Sequence, residues 1–190
     1  MHGLLMSSRL IELAEFSKWS HVGMVIRSED IGITDKESSV LLWESTDYTN
    51  LKDKILNITK TGPMLVDLGE RIKTNYESGT DTLTAVRYFN TDRTPEMYKT
   101  LSQTITKVHT AHLPSAAKIV KKVFKGRILN KKGKHDDFFC SELVTYTLKA
   151  IGLIPENFHS NSFEPKDYSS SGYLPLLKRS TLSNEVYIKY

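Results

Sequence analysis

The hydrophobic period of this chain changes at Thr94, and that change restricts its fold more than any other feature. Before it lie short apolar runs bounded by polar turns: "SHVGMVIRS", "SVLLWEST", "GPMLVDL" and "DTLTAVRYF". Runs of that length, rich in β-branched and aromatic residues, read as strands. The first two read as strands buried on both faces, joined by the polar, glycine-containing link "EDIGITDKES" as a long-looped hairpin. After Thr94 the apolar residues recur at helical spacing. "TPEMYKTLSQTITKVHTAHL" opens with Thr94 as cap, Pro95 at the first helical position and Glu96 behind it. "PSAAKIVKKVFKGRIL" reads as a second helix with lysines on its outer face. "FFCSELVTYTLKAIG" reads as a third, stopped by Gly152 and Pro155. A short helix is also expected in "SRLIELAEF", capped by Ser7 or Ser8, and a helical excursion in "GERIKTNYESG". "LPLLKRS" and "EVYIKY" read as late strands. The expected class is α+β, an antiparallel sheet with helices packed against it.

The 190 residues suit a single domain spanning 1–190, with 39% hydrophobic and 25% charged residues. No apolar run reaches the roughly 18 residues of a membrane span. The N-terminus lacks a basic leader, and Arg9, Glu12 and Glu15 interrupt its apolar part, so no secretory signal is expected. With one cysteine there is no internal disulfide framework. An intracellular location is the expectation. The net charge of +4 is unevenly spread: ten bases and no acid lie between Glu96 and Asp136, while the remaining 16 bases and 22 acids give −6. The segment Lys118–Lys134 could meet an anionic substrate or a membrane surface, or could be a solvated helix face and loop. No nucleic-acid motif is present.

Cys140 is the one thiol and sits at the start of the third helix. Unpaired N–H groups at a helix start favour a thiolate. Asp137, the expected cap, opposes this, so a basic partner is needed. Among six histidines, His109 and His112 share a helix face at a metal-compatible spacing, but the cysteine needed for a structural site lies elsewhere, and no metal is expected. His135 is too close in sequence to face Cys140. His21 remains. It begins one strand of the hairpin and Glu44 ends the next. The register that centres the loop pairs His21 with Glu44, Gly23 with Leu42 and Val25 with Val40. That places a carboxylate beside the imidazole, the arrangement of a Cys–His–Glu triad. The alternative is a pair of ordinary polar residues at strand ends.

"SRLIELAEFSKWSHVGMVI", "LLWEST", "FFCSELV", "GLI" and "SFEPKDYSS" resemble, in that order, the permuted papain-like amidases. These are the YiiX/YebB-like relatives of NlpC-type cell-wall peptidases, more distantly similar to the lecithin:retinol acyltransferase group. The resemblance covers about Leu4 to Ser170. It implies a circularly permuted papain-like fold and a cysteine peptidase or amidase that needs no cofactor. Cys140 would be the nucleophile, His21 the base and Glu44 the orienting residue, with a peptide or small-molecule amide as substrate. The acid that often precedes the family's first helix is missing from "MHGLL". Pro165 and Asp167 read as turn and cap residues in a tail that covers the cleft. Two rival readings are a lipid acyltransferase or phospholipase on the same fold, and an inactive binding protein that uses its lysine-rich segment.

Overall fold

The computed structural model describes residues 2–3, 17–33, 39–79 and 81–189. The expected helix in "SRLIELAEF" and its cap at Ser7 or Ser8 lie outside the described residues. The strands are β1 (His2–Gly3), β2 (Met24–Arg27), β3 (Val40–Thr46), β4 (Gly62–Asp67), β5 (Asp81–Val86), β6 (Phe89–Asn90), β7 (Thr181–Leu182) and β8 (Val186–Ile188). The described helices are α1 (Leu68–Glu77), α2 (Pro95–Val108), α3 (Ala116–Arg127) and α4 (Cys140–Ala150). The class is α+β, as the change of period implies. Where a single sheet was expected, the strands among the described residues form three small antiparallel sheets, ordered β2-β3-β4, β1-β5-β8 and β6-β7.

Local chemistry explains the helices. The Thr94 hydroxyl accepts from the Met97 N–H at 3.3 Å, with Pro95 in the first turn of α2. Gly152 takes φ 74° just past α4, a conformation open to glycine at little cost. The expected strand in "LPLLKRS" does not form. Pro175 lacks the N–H a ladder needs, and Lys178 and Arg179 adopt φ 56° and 55°. "DTLTAVRYF" divides between β5 and β6, which join different sheets.

β3 is the central strand of its sheet and almost wholly buried. β2 lies at the edge, so it is not buried on both faces: Val25 and Arg27 are exposed and Ile26 is inside. One face of this sheet contributes Ile26, Leu41, Trp43 and Leu65 to the main core, against Leu101, Ile105 and Val108 of α2 and Leu143 of α4. The Trp43 indole donates to Thr147 Oγ1 at 3.1 Å, which fixes α4 on this face. The opposite face carries Leu42, Met64 and Val66 beneath α1.

The observed register pairs Met24 with Trp43, Val25 with Leu42, Ile26 with Leu41 and Arg27 with Val40. It differs by two residues from the one that pairs His21 with Glu44 directly. The 3-10 turn Ser28–Ile31, closed by Gly32 at φ 75°, draws residues into the connection, and the Ser28 N–H donates to Ser39 O. A two-residue shift leaves every side chain on its original face.

Candidate active site

His21 lies in the segment that leads into β2, three residues before the first paired position. Glu44 is in the middle of β3, with Met64 of β4 opposite. His21 Nε2 and Glu44 Oε2 are 2.7 Å apart, with the carboxylate wholly buried. The displaced register makes this a diagonal contact. Gly23 permits it, because an added Cβ there would sit 2.7 Å from Leu42 Cδ1 and 3.1 Å from Trp43 O.

Cys140 is the first residue of α4, is buried, and hydrogen-bonds His21. Trp43 and Glu44 are consecutive in β3 and so face opposite ways. Helix α4 packs on the Trp43 side of the sheet. Backbone N–H groups of Val22 and Ser141 also donate to the sulfur.

Asp137 does not cap this helix. Phe139 holds the cap position, with no side-chain cap bond. The Asp137 carboxylate is paired instead with Lys118 and, at 2.7 Å, with Lys122. Two ammonium groups thereby cancel the charge that would have worked against a thiolate.

Burial opposes charge on Cys140, but the His21 hydrogen bond, the imidazolium charge and the two N–H donors outweigh it and lower the thiol pKa. Burial likewise opposes the imidazolium, yet bonds and charges from Cys140 and Glu44 raise His21 to about 10. Burial pushes Glu44 up, but His21 and Arg71 together hold it below the usual carboxylate range. Both shifts favour the thiolate–imidazolium form of the pair.

Sequence spacing gave no sign of Arg71. Its Nε donates to Glu44 Oε1 at 2.7 Å and its Nη1 to Asn50 Oδ1 at 2.5 Å, and its guanidinium lies 5.7 Å from the Tyr48 ring centre. Both side chains of the Arg71–Glu44 pair are fully buried. Tyr168, from the "EPKDY" turn, hydrogen-bonds the Ser141 carbonyl at 3.2 Å and the Thr145 hydroxyl at 2.5 Å. Pro165 starts that 3-10 turn, and Asp167 accepts from the Glu164 N–H at 2.8 Å, the turn and cap roles expected of them.

His109 does not share a ligand set with His112. It is buried against Asp53, with Nε2 2.8 Å from Oδ2. Among the described residues no cluster of three potential ligands could hold a metal. No described helix is long and apolar enough to cross a membrane. The basic interval is partly neutralised: Lys118, Lys122 and Arg127 pair with Asp137, Glu142, Glu164 and Asp167. Lys122 is buried, contrary to the outer-face expectation. Lys132 and His135 line a separate cavity of about 200 Å³.

Comparisons with models of protein families, with curated proteins and with solved structures find no match to this chain.

Proposed function

We propose that this chain is a cysteine hydrolase of permuted papain-like architecture that cleaves an amide bond. The observation that carries the reading is the hydrogen-bonded order Cys140–His21–Glu44, with Cys140 and Glu44 buried and His21 half-buried, and with pKa shifts that favour the ion pair. The Cys140 thiolate attacks the carbonyl carbon, forming the C–S bond while the C=O π electrons move to oxygen. The oxyanion is held at the start of α4, where the N–H groups of the first turn have no partner within the helix. Collapse expels the amine, which takes its proton from the His21 imidazolium. Water then attacks the thioester and gives a proton to His21. Breaking the C–S bond releases the carboxylic acid and restores the thiolate. Glu44 holds the ring in place and stabilises its charged form.

The test is turnover of a panel of fluorogenic amides, with thiol alkylation against pH in parallel. Cys140→Ala and His21→Ala should abolish turnover in folded protein. The wild-type alkylation midpoint should lie well below the value of about 8.5 for a free cysteine. Undiminished hydrolysis by Cys140→Ala, or a midpoint at or above that value, overturns the reading.

A further inference from the structure

Helix α3 is built inside out. Its covered face is polar. Lys122 is buried between Asp137 and Glu142, and Gly126 sits where an added Cβ would lie 2.6 Å from Asn161 O. Its outward face is apolar. Ala117, Val120, Phe124 and Ile128 follow one another by three, four and four residues and so form one stripe. At about 100° per residue, that stripe lies roughly opposite Lys122 and Gly126. Val120 is 62% exposed, Phe124 54% and Ile128 65%, with Leu129 beside them at 47%. Helices of globular domains turn such residues inward, and an apolar surface left outside marks a site of interaction.

The surroundings of the stripe are basic. Lys121 and Lys125 flank it on the helix, and Lys131, Lys132 and Lys134 follow in the next loop. All five are exposed, and none forms an ion pair with a described residue. Lys118, Lys122 and Arg127 have carboxylate partners, so these five are the cations left over. No acid lies between Glu96 and Asp136 to offset them.

Shape and charge together select the occupant. Val120, Phe124 and Ile128 line neither the cavity of about 540 Å³ nor that of about 200 Å³. The stripe is a ridge, with no socket for the side chains of a rigid partner. A fluid headgroup layer conforms to a ridge, and lysine, a point charge on a flexible stem, follows mobile lipid charges. Nucleic acid would use the lysines but leave the stripe in water. A second copy would set one positive surface against another.

We propose that α3 and the loop behind it dock the protein on an anionic bilayer surface. The helix lies in the plane of the interface, Val120, Phe124 and Ile128 enter between the headgroups, and the five lysines meet the negative lipids. The proposal is independent of the hydrolase reading: it concerns where the protein is held, not what it cleaves.

The experiment is co-sedimentation of the full chain with phosphatidylcholine vesicles, with and without phosphatidylserine. Binding should need phosphatidylserine and weaken as salt rises. Lys121→Gln with Lys125→Gln should weaken it roughly 25-fold, about fivefold for each lysine. Phe124→Ser with Ile128→Ser should weaken it at least about tenfold. Phe124→Trp adds a reporter to the stripe: relative to wild type, its emission should shift to the blue on these vesicles and be quenched by lipids with brominated acyl chains. All four positions are exposed, so melting curves and the Cys140 alkylation midpoint should match wild type in every variant. No binding to phosphatidylserine vesicles at low salt overturns the proposal. Binding that needs the lysines but is indifferent to the Phe124 and Ile128 changes is a diffuse charge contact, and overturns it too. Sedimentation velocity and a duplex DNA probe cover the other occupants. A dimer dissolved by Phe124→Ser with Ile128→Ser assigns the stripe to a second copy, and tighter binding to the DNA than to the vesicles assigns the lysines to nucleic acid; either result overturns the membrane assignment.

Discussion

Arg71, Glu44, His21 and Cys140 form a largely buried row whose shifts favour alternating charge, and Glu44→Gln removes one sign from it. Two effects follow, and they can be separated. The first is on folding. Arg71 is left buried without its counter-charge, and breaking a buried pair from one side costs about 3–5 kcal/mol. For a chain of this size about 2–4 °C of Tm accompanies each kcal/mol, so the melting point should fall by roughly 6–20 °C. The second effect is on the thiol. At an effective dielectric of about 20, a carboxylate about 4 Å from an imidazolium contributes about 4 kcal/mol. Relaxation and the new amide dipole reduce that figure, and part of the remainder passes through the ring to the sulfur. The Cys140 alkylation midpoint should rise by at least about one pH unit, or about 1.4 kcal/mol. Iodoacetamide rates measured from pH 4 to 10 read this directly. The double variant Glu44→Gln with Arg71→Met removes the orphaned charge, because a methionine fills much of the same volume. It should recover most of the melting temperature but not the midpoint. A double variant that is folded and keeps the wild-type midpoint refutes the claim that Glu44 tunes the thiol.

The pH dependence of stability follows from the same groups. Between about 6.5 and 9 the raised His21 and the lowered Cys140 act in opposite directions. Above about 9 the unfolded chain has lost both protons while the folded imidazole keeps its own up to about 10, so melting temperature should fall across that interval, and the alkaline limb of kcat/KM should lie there too. Glu44 has a depressed pKa, so its contribution is present above about 4.5 and is lost in acid. Lys122→Met takes the ammonium from between Asp137 and Glu142, each 2.7 Å from it, and should cost about 3–5 kcal/mol. Burial already lifts Glu142 to about 7, so the loss should be smaller at pH 6 than at pH 8.5 when the two melting curves are compared. Asp53→Ala removes the acceptor for the backbone N–H groups of Ile55, Leu56 and Leu65 and for His109. It should cost at least about 3 kcal/mol by denaturant titration and leave the Cys140 midpoint unchanged.

The parts of this structure that could be read in the sequence are those whose cause is local. Thr94, Pro95 and Gly152 mark helix ends through their own backbones, and α2 and α4 appear where those residues put them. The contact between His21 and Glu44 was reachable for a different reason. The strand period is two, so an error of two residues in register leaves the contact on the correct face, where an error of one would have destroyed it. The missing information concerns partners distant in sequence. β5 pairs with β8 across about a hundred residues, and nothing in "DTLTAVRYF" names that partner. Asp137 looks like a helix cap because it precedes α4 by a few residues. Its real partners, Lys118 and Lys122, meet it only after α3 folds back. Arg71 was hidden for the same reason: an arginine on a short helix resembles any solvated base until α1 packs over β3.

The alternating row also lowers the cost of a buried thiolate here. An isolated ion in such a place would neutralise itself by shifting its pKa. In this row each charge has an opposite neighbour, and the end members gain further donors or acceptors: Asn50 at Arg71, and the Val22 and Ser141 N–H groups at Cys140. In the proposed reaction, attack by the thiolate would move the negative charge from sulfur to the carbonyl oxygen of the tetrahedral intermediate. The imidazolium would then have less reason to keep its proton and would give it to the departing amine. Sulfur and Glu44 together hold the His21 pKa up, so in this reading loss of the sulfur's charge would time the proton's release. An acyl-enzyme trapped at Cys140 should therefore show a His21 pKa well below the resting value of about 10, by NMR titration of the ring. A ring that titrates at the same pH in the resting and acylated forms would mean that Glu44 alone sets its charge.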